Sequence, residues 1–341
     1  MPYDVIFDFS ASPVGGGLKR LVEYIKYFEQ SNYKVLFLAH PATRGILEEF
    51  HDVEINYIKR PACRRIFDDA SFVKRYRGKA NCFFSYGIPI YHKMSDLDWL
   101  HISNALPFAY KDCTVNFLAR IKNHLLFDKF KQNSTMPAVV SAESYFSLDL
   151  YSTKCMPPKE SFILRNGVDS FIGPAGAKPV KESVMLCVGV EGYKRIRMVF
   201  REFKRLKSRL NLERLVIVGN PKKVDTDIIS DPDVIATGYI QNEKLTSLYL
   251  TSKYFISASE IENSSVAVIE ALKSGAICFL SKIPSHLEMF DTCKLDLADK
   301  DAGDGFFIVD MSKVKEEQIQ TWKQVIESMC KRIDLSVPDP E

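Results

Sequence analysis

Glu262 and Glu270 are two carboxylates separated by seven residues in the stretch from Ser257 to Gly275. On one helix that spacing is a little over two turns, so both would point to the same side. Asn263, Ser264 and Ser265 read as the start of that helix. Their backbone N–H groups and the positive end of the dipole would form a site for a phosphate or another polar ligand. Val266, Val268, Ile269, Ala271 and Leu272 make an apolar interior, and Gly275 is a suitable stop. A carboxylate beside an anion site, with a second two turns on, suits a nucleotide-sugar. The phosphates would sit on the helix end, and hydroxyls of sugar and ribose would donate to the carboxylates.

Other residues fit the same chemistry. Lys194 and Arg195 follow a strand pattern ending at Gly189, where cations would neutralise a diphosphate and stabilise its departure. We favour that role for Lys194. For Arg195 and Arg197 a solvated helix start fits as well. Gly15, Gly16 and Gly17 lie between the first strand and the first helix, and suit either close approach of a phosphate or a plain tight turn. His101 and Asn104 close an apolar strand in the first half. The histidine fits a sugar or phosphate contact and a satisfied core position equally. Asp-x-Asp triplets at Asp96/Asp98, Asp225/Asp227, Asp231/Asp233 and Asp299/Asp301 read as surface charge, so no catalytic metal is expected. Lys59, Arg60, Arg64, Arg65, Lys74, Arg75, Arg77 and Lys79 interleave with Ile66, Phe67, Phe72 and Tyr76. That run reads first as a solvated basic face. Its other reading is a surface for an anionic membrane or a pyrophosphate-lipid.

These groups need a frame that carries them on strand ends. The pattern alternates strand and helix twice. Val5–Phe9, Lys34–Ala39, Val53–Ile58, Cys82–Ser85, Val139–Ser141 and Phe162–Leu164 read as strands of one parallel sheet. Val184–Gly189, Leu215–Gly219, Val234–Gly238, Tyr254–Ser257 and Ala276–Leu280 read as those of a second. In doubly wound sheets ligands lie at the carboxyl ends of strands, where Gly189 and Gly219 fall. The boundary is drawn at the Asn166-Gly167 turn. This predicts domains at 1–165 and 166–312, with a helix from about Val314 to Ile333 and a tail over 313–341 that packs back toward the first domain.

The bulk properties narrow the class. A chain of 341 residues with 46% hydrophobic and 26% charged content is long enough for two globular domains. With 46 basic against 43 acidic residues, the +3 balance argues against a dedicated nucleic-acid binder. None of the eight cysteines has C-x-x-C spacing, and Cys82, Cys187 and Cys278 sit in apolar runs. A reducing cytoplasm fits, and neither a signal peptide nor a transmembrane run is evident.

From Asn166 to Glu288 the chain resembles the retaining glycosyltransferases of the GT-B fold, specifically glycosyltransferase family 4. The resemblance rests on Asn166-Gly167-Val168-Asp169, Gly189 with Lys194, Val216–Gly219, Thr237-Gly238-Tyr239-Ile240, and Ser259-x-x-Glu262-Asn263-Ser264-Ser265 with Glu270-Ala271. It implies an α/β architecture of two doubly wound Rossmann-like domains facing across a cleft. Glu262 would contact the donor sugar and Glu270 the ribose hydroxyls. Asn263, Ser264 and Ser265 would hold sugar and phosphate through N–H groups, and Lys194 the diphosphate. Tyr239 and Ile240 would flank the base, and Gly16 and Gly17 would let a loop approach the phosphates. Where the family commonly has an arginine after the glycine at Gly189, this chain has Val190, so Arg195 or Arg197 is a candidate replacement. Asn263-Ser264 replaces a glycine-containing pair.

The implied activity is retaining, metal-independent transfer of a hexose from a nucleoside-diphosphate sugar. The acceptor would be a polysaccharide or lipid-linked oligosaccharide, at the cytoplasmic side with peripheral membrane contact. No cofactor beyond the donor is implied. A non-hydrolysing nucleotide-sugar epimerase and a non-catalytic partner subunit are the competing readings.

Overall fold

The computed structural model of the protein describes residues 1–67, 70–168, 180–296, 303 and 305–334. Asp169, the stretch to Pro179, the Asp299/Asp301 pair and the tail after Asp334 lie outside the described residues. The chain forms two compact units. The first comprises 1–110, 117–167 and 320–341, and the second 111–116 and 168–319. The short excursion at 111–116 has no signature in the sequence.

The first unit carries strands β1 (Tyr3–Phe9), β2 (Val35–Ala39), β3 (Glu54–Tyr57), β4 (Ala80–Tyr86), β5 (Leu97–Ile102), β6 (Val139–Ala142) and β7 (Glu160–Ile163). They form one parallel sheet in the order β3-β2-β1-β4-β5-β6-β7. Its helices are α1 (Gly15–Glu29), α2 (Arg44–Leu47), α3 (Ala62–Ile66), α4 (Ala70–Tyr76), α5 (Leu106–Ala109), α6 (Phe117–Gln132) and α7 (Tyr145–Lys154). The central strands are apolar on both faces because helices cover both sides of a parallel sheet. Val5, Phe7 and Phe9 face one helix layer, and Ile6 joins Leu36, Phe83 and Val140 under the other.

The second unit carries β8 (Glu182–Val188), β9 (Arg214–Val218), β10 (Val234–Gly238), β11 (Ser252–Ser257), β12 (Ile277–Ser281) and β13 (Phe306–Val309). The order is β10-β9-β8-β11-β12-β13, all parallel except β13. Helices α8 (Ile196–Leu210), α9 (Thr226–Ile229), α10 (Asn242–Thr251), α11 (Val266–Lys273) and α12 (Pro284–Leu287) complete it. In α8 the buried Ile196, Val199, Phe203 and Leu206 recur at helical spacing and leave the Arg and Lys residues outside.

The last helix, α13 (Trp322–Asp334), belongs to the first unit. It begins at Trp322 rather than near Val314, because 311–319 forms two separate single turns. Val325, Ile326, Met329 and Ile333 join the core of α1 and β1. Arg20, fully buried, fastens this end of the unit. Its Nη2 donates to the Arg165 carbonyl (2.9 Å) and to Asn166 Oδ1 (3.0 Å), and its guanidinium lies over the Trp322 ring. A Cβ at Gly167 would come within 2.5 Å of the Trp322 backbone, so the Asn-Gly turn is held by packing as well as by turn geometry.

In both units the strand order reverses beside the first strand. The reversal lies between β1 and β4 in one and between β8 and β11 in the other. Such a switch point opens a crevice at the carboxyl ends of the two strands, where ligands bind in this architecture.

Candidate functional site

At the second unit's switch point, β8 ends at Val188 and Gly189 takes φ +95, a backbone that side-chain-bearing residues avoid. The turn returns Lys194 toward the strand end, its Cε 3.1 Å from where a Gly189 Cβ would stand. Across the switch, β11 ends at Ser257 and the loop 258–265 leads into α11. Lys194 Nζ donates to Glu262 Oε1 in a direct ion pair, with side-chain exposures of 16% and 12%. Glu262 therefore lies on the loop, not on the helix with Glu270 as its spacing suggested. The helix starts at Val266, and its N-terminus carries no side-chain cap.

A polar network backs the pair. Ser259 Oγ donates to Glu262 Oε1 (2.6 Å), and Ser281 Oγ donates to the Ser259 carbonyl (2.6 Å). His286 Nδ1 lies 2.9 Å from the Ser281 carbonyl, which fixes the proton on Nδ1. Burial alone would push Lys194 down, but the Glu262 carboxylate outweighs it and holds Lys194 above the ordinary lysine range. Burial would likewise raise Glu262. Lys194, His286 and the donated hydrogen bonds outweigh that, so its carboxyl is held below the usual value. Burial lowers His286, and the Glu262 carboxylate partly opposes that shift.

The two loops are stitched together. The Glu260 N–H donates to the Tyr193 carbonyl (2.8 Å), and Arg195 Nε donates to the Ala258 carbonyl (2.9 Å). The 111–116 excursion adds a third tie. Thr114 donates its N–H (2.5 Å) and hydroxyl (2.8 Å) to the Glu260 carboxylate. Spacing gave no hint of this tie, since Thr114 lies 146 residues away. Ser281 and His286 were missed for a similar reason, because they lie beyond the next strand and reach the pair only through the fold.

The remaining expected residues divide. Arg195 donates to the Ala258 carbonyl, and exposed Arg197 is paired with Asp225 and Asp227. Val190 itself packs against Gly219, whose Cβ would meet it at 2.9 Å. Glu270 is 7% exposed on α11 and adjoins the Tyr249 hydroxyl, which burial and then Glu270 push far up. Ser265 is buried, while Asn263 and Ser264 are half-buried. Tyr239 is largely exposed beyond β10, with Ile240 half-buried.

In the first unit, His101 is fully buried at the end of β5. It stacks on Phe84 and Tyr86, with Nδ1 2.8 Å from Ser141 Oγ and Nε2 3.7 Å from Glu143. Burial, then the Arg20 charge, lower it to about 4. The core position, one of its two expected roles, is the one the ring occupies. Asn104 caps its own turn through the Leu106 N–H (2.9 Å). Gly16 is exposed, while a Cβ at Gly17 would meet the Ser12 hydroxyl at 2.7 Å.

Two surface readings are corrected. Asp98 is buried, accepting from the Met94 and Ser95 N–H groups and the Ser95 hydroxyl. Arg60, Ile66, Phe72 and Tyr76 of the basic run are buried as well. Arg60 pairs with Asp8 at 2.7 Å and lies over the Phe72 ring. The Asp231/Asp233 pair does sit at the surface, bridged by Lys204. Among the described residues no three His, Cys, Asp or Glu side chains come together as a metal site, and no helix is long and apolar enough to cross a membrane.

The profile of the glycosyl transferases group 1 matches residues 182–304, within the second unit. No curated protein sequence matches the chain. Among solved structures, Anabaena HepE in complex with UDP and glucose has a TM-score of 0.67 at 10% identity, covering 98% of this chain and 100% of that one. A glycosyltransferase from Rickettsia africae gives 0.66 at 13% identity, with 99% of each chain covered. The sucrose-phosphate synthase of Thermosynechococcus elongatus gives 0.65 at 12% identity, with 98% of each covered. The fold is therefore GT-B, with two Rossmann-like domains.

Proposed function

We propose that the protein transfers a glycosyl residue from a nucleoside-diphosphate sugar to an acceptor hydroxyl. The observation that carries this reading is the Lys194–Glu262 pair at the second unit's switch point, inside the segment that matches the glycosyl transferases group 1 profile. The diphosphate gains negative charge as the glycosidic bond breaks. Lys194, already positioned and held protonated by Glu262, supplies a cation to that departing group. Glu262, kept ionised and oriented by Ser259, faces the electron-poor anomeric carbon and sugar hydroxyls. Glu270 takes the ribose hydroxyls, and the uncapped start of α11 offers N–H groups to phosphate and sugar.

Retention, a hexosyl donor, metal independence and a glycan or lipid-linked acceptor at the cytoplasmic face complete the reading through the family resemblance. Because HepE has been seen with UDP and with UDP-glucose, UDP-glucose is the first donor to try. The test is thermal shift with UDP, GDP, dTDP and their sugars, without metal, on wild type and Glu270→Ala, followed by NMR of the product's anomeric proton. A shift with one nucleotide class that the variant loses supports the donor site. No shift with any of them removes the reading.

A further inference from the structure

The first unit holds a second concentration of charge that the donor reading does not use. Next to its switch point lies an open concavity lined by Arg65, Ile66, Gly87, Ile88, Lys122 and Leu126. Gly87 and Ile88 directly follow β4, so the concavity opens at the carboxyl end of a switch-point strand. Its floor is apolar and two of its walls are cationic, and among the described residues no acidic side chain lines it.

Among the described residues neither cation has a carboxylate partner. The Arg65 Nε is buried and lacks a hydrogen-bond partner. Burial, then repulsion from Arg60, hold Arg65 below its ordinary value, and the nearby Asp8 is already bonded to Arg60. Lys122 is exposed at the rim, and partial burial, then the Arg65 charge, lower it.

A different surface adjoins the same opening. On α6, Phe117 and Leu118 are 74% and 77% exposed, and Ile121 and Leu125 are also exposed. At about 100° per residue these four occupy one side of the helix, and Lys122 and Leu126 follow directly around it. An apolar stripe thus leads into a cationic concavity. A phosphate group carries up to about two negative charges near neutral pH, which matches the two cations.

We propose that this concavity binds the phosphate of a lipid phosphate, between Arg65 and Lys122, with the hydrocarbon chain lying along Phe117, Leu118, Ile121 and Leu125. It rests on the glycosyltransferase reading in one respect: the lipid phosphate would be the acceptor's anchor. Binding itself does not depend on that reading.

The experiment is calorimetric titration of the full chain with dodecyl phosphate below its micelle concentration, beside inorganic phosphate and dodecyl maltoside. Dodecyl phosphate is expected to bind at least about tenfold tighter than either control. The R65Q/K122Q variant should lose about tenfold or more for dodecyl phosphate. L118S/I121S, altered only at exposed positions and so expected to fold, should lose affinity for dodecyl phosphate but not for inorganic phosphate. Wild-type affinity in R65Q/K122Q overturns the site. Equal binding of inorganic phosphate or of dodecyl maltoside overturns the lipid phosphate as its ligand. The UDP-induced thermal shift, read on the same variants, is expected to be unchanged. Its absence from wild type as well would sink the donor reading and leave the titration to decide this one.

Discussion

Each unit places an acid–base pair at its switch point, and the two pairs are built differently. Asp8 stands on strand β1, also accepts from the Ser10 hydroxyl (2.6 Å), and is 1% exposed. Its partner Arg60 is 4% exposed beneath the Phe72 ring. Glu262 and Lys194 stand on loops instead, beyond a glycine-ended strand, with residual exposure. A pair fixed to strand and core is part of the fold. A pair carried by loops at a strand end can exchange its partner for a ligand. Charge type and topology are shared, so the backing decides the use.

The largest effect should come from breaking the first pair. Arg60→Met leaves the Asp8 carboxylate buried without its cation, which should cost about 3–5 kcal/mol. Adding Asp8→Asn should recover much of that loss. Urea unfolding of both variants checks it, and a loss below about 1 kcal/mol for the single variant would mean that the Asp8–Arg60 pair is not structural.

Breaking the second pair should move activity rather than stability. Glu262→Gln is expected to lower kcat/KM with UDP-glucose by roughly a hundredfold to a thousandfold, with a smaller change in unfolding free energy than Arg60→Met gives. Activity within threefold of wild type would show that the loop-borne pair is not the reacting site.

A third test uses pH and concerns the first unit alone. His101 titrates near 4 when folded against an ordinary value of 6.5. Above about pH 6.5 neither state carries the proton. As the pH falls from 6.5 toward 4, the unfolded chain binds a proton that the folded one refuses, so stability declines by up to about 3 kcal/mol. Carboxylates add their own slopes. The difference between wild type and His101→Gln isolates the histidine, comparing urea unfolding at pH 7 and 4.5. Equal pH dependence in the two proteins would contradict the buried, neutral ring.

The contrast also explains what the sequence revealed. Both sheets were legible, because buried parallel strands are continuous apolar runs such as Val35–Ala39 and Leu215–Val218. The pairing of the β8 and β11 loops was legible as a candidate site because Lys194 and Glu262 lie just past those runs. What was not legible depends on contacts far apart in the chain. Glu262 and Glu270 suggested one shared helix, but the loop 258–265 is held by Tyr193 and Thr114, which no local period encodes. Arg60 looked solvated because its partner Asp8 lies 52 residues earlier. His101 suited a core or a ligand equally, and only its neighbours Phe84, Tyr86 and Ser141 distinguish them.

The smallest predicted effect sharpens the comparison at Arg65, whose charge lies close to that of Arg60. If Arg65 served the fold, as Arg60 does, its removal would destabilise the protein. Its Nε has no partner and its charge opposes that of Arg60, so the opposite sign is expected. Arg65→Met keeps most of the volume and removes both burdens. It should raise the first unit's Tm by about 1–2 °C, the shift expected for well under 1 kcal/mol in a unit of this size. The same substitution should reduce the Tm increase that dodecyl phosphate gives the wild type, since ligand stabilisation scales with affinity. Differential scanning calorimetry reads both quantities in one series. A fall in Tm without ligand would place Arg65 with Arg60 as part of the structure, and the contrast between a closed pair and an open cationic wall would be lost.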